Sequence, residues 1–173
     1  MILEGEKVQL RPTSVEEIPI FFKFATDSHA TPYWYGDLYG DKIPTYDEFI
    51  ADWKRYYFDG SAPELGRSFL IIVDGNPVGQ VNYNDINRTD NSVELDIIIA
   101  DDNNKGKGLG SDALKTLVKY LFQEMNIKVC CIDAIATNPR AIRAYEKAGF
   151  AIENEFEKNG NFWKHMVLRS ESY

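Results

Sequence analysis

The chain has little cysteine, little histidine and no long apolar run, and each shortage removes a class of protein. Two of its 173 residues are cysteine, Cys130 and Cys131. They are adjacent in a stretch that reads as a strand, so their side chains should point to opposite faces, which argues against a mutual disulfide or a metal pair. The two histidines, His29 and His165, are far apart and lack ligand spacing. No metal site is therefore expected, and His29 reads as a polar loop residue. No stretch approaches the roughly 20 apolar residues of a membrane span. Residues Met1 to Val8 alternate apolar with charged side chains and show no secretory leader pattern. The expectation is a cytoplasmic protein with no membrane partner. Basic residues are also scarce: 19 Lys and Arg against 27 Asp and Glu leave a formal net charge of -8. That argues against nucleic acid, whose phosphates need a basic face, and favours a cationic partner.

With 44% apolar and 27% charged residues, the chain has the composition of an ordinary globular protein, and its length predicts one domain spanning 1–173. Residues Lys7 to Pro12 read as a first strand that the proline ends. Ser14 with Glu17 forms a capping box ahead of a helix carrying Ile18, Phe21, Phe22 and Ala25 at helical spacing. Thr45 with Glu48 opens a second helix with Phe49, Trp53 and Tyr56 or Tyr57. Between them lies an aromatic segment without periodicity, Tyr33-Trp34-Tyr35-Gly36-Asp37.

Ser68–Val73 and Pro77–Tyr83 are apolar runs joined by Asp74-Gly75-Asn76, which is hairpin chemistry, and Val93–Ala100 is a third strand, nearly all apolar beyond Asp96. A glycine loop, Asn103 to Gly110, leads into a helix from Ser111 to about Met125. Val129–Ile135 is the next strand, and a helix starting at Pro139 ends before Gly149. Phe150–Phe156 and Phe162–Arg169 close the chain as a hairpin about Asn159-Gly160. The order predicts an α/β (α+β) architecture around one mixed, mostly antiparallel sheet flanked by helices.

The loop Lys105-Gly106-Lys107-Gly108-Leu109-Gly110-Ser111 stands between a buried strand and a helix N-terminus. Glycines let backbone amides approach an anion, and the unpaired first-turn N–H groups favour phosphate, so a pyrophosphate fits here; a plain flexible turn is the competing reading. A P-loop needs Gly-Lys followed by Ser or Thr, which the chain lacks. A dinucleotide fingerprint is a minor alternative: the glycines fall at 106, 108 and 110 after a loose stretch, Asp133 imitates a ribose-binding acid, but repeated βαβ units are missing.

The run Gly106 to Gly110 resembles the pyrophosphate loop of the GNAT superfamily of N-acetyltransferases, with Lys105 where Gln or Arg is usual. Asn138-Pro139-Arg140-Ala141-Ile142-Arg143-Ala144-Tyr145-Glu146-Lys147-Ala148-Gly149-Phe150 is similar to that superfamily's second block. The resemblance implies acetyl-coenzyme A as cosubstrate, without metal. It implies that Lys105 and the backbone of Gly106, Lys107, Gly108, Leu109, Gly110 and Ser111 hold the pyrophosphate. The edge of Ile97, Ile98 and Ile99 would pair with the pantetheine arm, Asn138 would contact the cofactor, and Tyr145 would stand near its sulfur as general acid. Within the superfamily the likeness is to aminoglycoside 6'-N-acetyltransferases. It rests on Asp96 before the loop, Asp133 a few residues before Asn138, and the aromatic stretch before Gly36. Asp133 is followed by Ala134 where those enzymes usually have Pro. The implied amine site is Tyr33, Trp34, Tyr35, Glu94, Asp96 and Asp133, with a carboxylate as base, since carboxylates and aromatic faces suit a polycation. Polyamine or protein N-terminal acetylation, and a sensor that binds without turnover, stay open, as do monomer and homodimer.

Overall fold

The computed structural model describes residues 1–35 and 42–173, so Gly36 and Asp37 of the aromatic stretch lie outside the described residues. Among the described residues, eight strands form one sheet in the order β1-β2-β3-β4-β5-β6-β8-β7. They are β1 (Leu3–Glu4), β2 (Gln9–Pro12), β3 (Gly66–Val73), β4 (Asn76–Asn87), β5 (Ser92–Ile99), β6 (Val129–Ile135), β7 (Ala151–Lys158) and β8 (Asn161–Arg169). All neighbours pair antiparallel except β5 and β6. The helices are α1 (Ile18–Thr26), α2 (Tyr46–Asp52), α3 (Tyr56–Asp59), α4 (Leu109–Gln123) and α5 (Pro139–Lys147). This is the mixed, mostly antiparallel sheet flanked by helices that the sequence predicts.

Period-two alternation sends each strand's side chains to two different cores. On one face Val81, Tyr83, Val93, Leu95, Cys130 and Ile132 pack with Leu114, Leu117, Val118 and Leu121 of α4 and with Tyr145 of α5. On the other, Ile98 packs with Phe21, Phe49, Tyr57 and Phe58 from α1, α2 and α3. Phe21 is fully buried and meets Trp34, Phe49 and Trp53 edge-on, with ring centroids 5.7, 5.0 and 4.5 Å away. Such contacts add about 0.5–1.5 kcal/mol each beyond area burial, and here they tie the aromatic segment to α1 and to the chain just after α2. Among the described residues, no helix is long and apolar enough to cross a membrane.

Several boundaries move, each for a physical reason. The first strand does not start at Lys7, because the N–H groups of Glu6, Lys7 and Val8 all donate to the Asp112 carboxylate of α4, at 3.1, 2.6 and 3.0 Å, instead of joining a ladder. Before them the unexpected β1 turns back onto β2, Leu3 facing Leu10. The second helix stops at Asp52, where Trp53 turns extended with ψ 93°, and Tyr56 begins a separate turn that Gly60 ends at φ 68°. Helix α4 begins at Leu109 rather than Ser111, because Gly108 in a left-handed conformation serves as its N-cap. The expected Asp74-Gly75 and Asn159-Gly160 turns both have two successive positive φ values, 50° and 79°, 51° and 75°. These match the right-handed twist of the strands they join.

Candidate active site

Strands β5 and β6 pair only from Ser92↔Val129 to Glu94↔Cys131. Beyond Glu94, β5 runs on to Ile99 and β6 to Ile135 without further pairing between them. Splayed parallel strands leave main-chain donors and acceptors along one edge of Asp96 to Ile99, since a strand's peptide groups need partners on both sides. Along this gap a cavity of about 1020 Å3 runs between the glycine loop and the floor of the sheet.

At one end the cavity meets Lys105, Gly106, Gly108, Leu109, Gly110 and Ser111. The N-cap Gly108 offers no side chain, and the first N–H bonded inside the helix is that of Asp112, which donates to Gly108 O at 3.0 Å. The N–H groups of Leu109, Gly110 and Ser111 therefore have no intrahelical acceptor and sit at the positive end of the helix dipole. Lys105, Arg140, Arg143 and Lys147 line the same region. In a chain of net charge -8 this is a local concentration of cations. Asp102 gathers part of it, 2.7 Å from the Lys105 amine and 3.7 Å from Arg140. His29, which the sequence assigns no role, lines the cavity too, and its Nδ1 accepts from the Asp102 N–H at 3.0 Å.

The other end is acidic. Asp96 is half-buried, and its Oδ2 accepts from the amides of Asn84 and Asn82 on β4, at 2.9 and 3.2 Å. Burial pushes the Asp96 carboxyl up, against the pull of those two amides. Asp133 lines the cavity as well; Glu94 is exposed outside its lining, its carboxyl pushed up by desolvation first and then by Asp133 and Asp96. Glu94 and Asp96 share a face, as their spacing predicts. Trp34 and Trp53 also line the cavity, the Tyr33 ring lies beside the cationic end with the Lys105 amine 6.0 Å from its centroid, and near the strand ends Phe156 and Trp163 stack at 6.3 Å.

The structure brings most of the sequence-selected residues to one cavity, but not in uniform fashion. Ile97, Ile98, Ile99, Asn138 and Tyr145 line it; Tyr35, Glu94 and Lys107 do not. Tyr35 packs against Trp34 with centroids 6.5 Å apart, and the Lys107 carbonyl accepts from the Lys7 amine at 2.9 Å. The Asn138 side chain is the N-cap of α5, its Oδ1 accepting from Ala141 N at 3.3 Å, and the Ser111 hydroxyl donates to Ala144 O at 2.9 Å. Leu109 turns its side chain into the core. Only the backbones of Leu109 and Ser111 therefore remain for an anion. Asn82 and Asn84 are site residues that the sequence does not mark, because isolated amides carry no spacing signal; only strand register places Asn82 opposite Asp96 and His165 opposite Asp133. Among the described residues there is no cluster of metal-ligating side chains.

A strand, a glycine-capped helix and a splayed pair of parallel strands leading to a tyrosine define an acyl-transferase class, and the comparison with known families agrees. Residues 7–151 match the model of the GNAT acetyltransferase domain, and the chain belongs to that family. Among curated relatives, the spermidine N(1)-acetyltransferase of Escherichia coli K12 is 28% identical over 165 residues, covering 91% of this chain and 82% of its own. The aminoglycoside N(6')-acetyltransferase type 1 of Klebsiella pneumoniae is 28% identical over 157 residues, covering 84% and 75%. The fold is shared with the aminoglycoside acetyltransferase AAC(6')-Ib in complex with ribostamycin and coenzyme A, at TM-score 0.77 and 24% identity over 96% of each chain. It is also shared with the spermidine N-acetyltransferase of Vibrio cholerae in complex with coenzyme A and spermine, at TM-score 0.79 and 21% identity over 98% and 99%.

Proposed function

We propose that the chain acts as one cytoplasmic domain, monomer or homodimer, that moves the acetyl group of acetyl-coenzyme A directly onto a primary amine of a polycationic small molecule. The observation that carries this reading is the polarity of one cavity: unpaired helix N–H groups and cations beside the glycine loop, and the Asp96 and Asp133 carboxylates, together with the rings of Trp34 and Trp53, in the rest of its wall. A diphosphate suits the first end and a cluster of ammonium groups the second. The residues fit the coenzyme, since Gly108 keeps a side chain out of the helix entrance and the open edge of Ile97 to Ile99 can pair with an amide-containing arm. When bound, acetyl-coenzyme A supplies a thioester carbonyl open to attack by a neutral amine.

The protein's own part is to take a proton from the ammonium, orient the amine and return a proton at the sulfur. Asp96, with its raised pKa, is the base, because a carboxyl shifted toward neutrality accepts a proton better than an ordinary one. Asp133 and Glu94 bind further positive charge. Tyr145, nearly buried on α5, is the acid.

An aminoglycoside is the first acceptor to test, on the strength of Asp96, Asp133 and the aromatic segment. A polyamine is the second, because the spermidine and aminoglycoside relatives match this chain at the same identity, 28%. The experiment is thiol release from acetyl-coenzyme A against kanamycin, spermidine, a monoamine and an amino-terminal peptide. Polycations should turn over with kcat/KM at least tenfold above the monoamine. Equal rates, or release only with the peptide, would overturn the polycation reading.

A further inference from the structure

No spacing pattern in the chain marks His165, yet β8 delivers it directly opposite Asp133 in the β6–β8 ladder. Its Nδ1 lies 2.7 Å from Asp133 Oδ1. Asp133 lines the cavity and His165 does not, so the imidazole stands behind the carboxylate as seen from the cleft. The surrounding face of the sheet is acidic. Glu94 of β5 feels both Asp133 and His165. Cys131, two residues before Asp133 on the same face, feels Glu94, Glu153 of β7, Asp133 and Arg169 of β8. Arg169 is already paired with Glu153 at 2.6 Å, and Asn154 of β7, opposite His165 in the register, is uncharged. His165 is thus the group whose protonation state decides how much net charge Asp133 offers to a ligand.

Resting on the polycation reading above, we propose that His165 is a positioning residue that sets affinity for multiply charged amines through Asp133. With a neutral imidazole donating from Nδ1, Asp133 keeps its full negative charge and one fixed orientation, with Oδ2 left to meet a second ammonium. With an imidazolium the pair is neutral overall, and the distal ammonium of the ligand loses its counter-charge. A monoamine, which engages only the Asp96 end, does not sense the change. The site would therefore select polycations more strongly in neutral than in acid solution.

The test uses binding rather than turnover, so that it remains decisive if no acetyl acceptor is found. Spermine and propylamine are titrated by calorimetry into the full chain loaded with coenzyme A, across the range in which imidazoles take up protons, roughly pH 5–8. In the unaltered protein the spermine Kd should rise on acidification about two- to fivefold more than the propylamine Kd, the range for one partly exposed charge pair. His165→Gln, whose amide can still hold Asp133 but cannot titrate, should shrink that difference to the part that protonation of Glu94 carries, while leaving coenzyme affinity unchanged. Parallel pH dependence of the two amines, or a His165→Gln profile superimposed on that of the unaltered protein, would each overturn the proposal. Failure of the acetyltransfer reading would appear separately, as absence of thiol release with every amine.

Discussion

Asn84 on β4 donates to the Asp96 carboxylate on β5 at 2.9 Å, diagonally across the antiparallel ladder that carries the acid floor of the cavity. Asn82, directly opposite Asp96, donates to the same oxygen at 3.2 Å. Two amides thus keep one oxygen of a half-buried carboxylate occupied and leave the other for an amine.

The pH behaviour of Asp96 follows from this balance. Burial is the largest influence and raises its pKa, and the two amides oppose it. The folded protein then holds this proton more tightly than the unfolded chain, so the group removes stability as pH climbs from the ordinary Asp value, about 3.9, through its folded value. Asp96→Asn, whose carbonyl oxygen can still accept from both amides, should be more stable than the unaltered protein at neutral pH. That advantage should fade in acid below the ordinary Asp range, as read from denaturant midpoints. The acid limb of kcat/KM should lie above the ordinary Asp value and disappear in this variant, with turnover down by about 10²–10⁴-fold.

Gly108 tests the anion end. It caps α4 at φ 79°, and a β-carbon there would come 2.9 Å from the Lys7 amine, which is bonded to the neighbouring Lys107 carbonyl. Gly106 has a similar φ of 76° but open space around the same position. Gly108→Val should therefore lose coenzyme affinity by tenfold or more in calorimetry. Gly106→Ala should pay only the left-handed backbone strain, about 1–2 kcal/mol of stability at most, and bind coenzyme nearly normally.

Asp112 is the clasp between the chain's first residues and the glycine loop. Its two oxygens accept three backbone N–H groups, from Glu6, Lys7 and Val8. In Asp112→Asn one oxygen becomes a donor facing a donor, so unfolding should become easier by about 2–3 kcal/mol. The denaturant midpoint should fall with an unchanged slope.

Tyr145 sits on α5, 8% exposed, in the cavity wall near the splayed strands. Tyr145→Phe keeps the ring that packs on the sheet and removes the hydroxyl. Turnover should fall about 10²-fold or more, while coenzyme affinity and thermal midpoint stay close to those of the unaltered protein. An undiminished rate would leave the leaving thiolate to another donor.

Much of the fold was legible because periodicity and turn chemistry act locally. The Asp74-Gly75 and Asn159-Gly160 turns, strand Val129–Ile135 and helix α5 fall where local pattern places them. What local pattern could not show depends on distant partners. The loss of Lys7 and Val8 from β2 is due to Asp112, more than a hundred residues away. The partners of Asp96 and Asp133 follow from strand register, which hydrophobic alternation specifies only once the strand order is known. The glycine loop and the Asn138 to Phe150 block were visible as candidate cofactor residues. That Asn138 spends its side chain on capping α5, and Ser111 its hydroxyl on Ala144, emerges only from the folded chain.

The most direct measurement is a crystal structure of the protein with acetyl-coenzyme A. Diphosphate oxygens should lie within hydrogen-bond distance of the N–H groups of Leu109, Gly110 and Ser111. The pantetheine amides should run along Ile97 to Ile99, with the acetyl group between Tyr145 and Asp96. A coenzyme bound elsewhere, or a diphosphate held only by surface lysines with the gap between β5 and β6 closed, would contradict that arrangement.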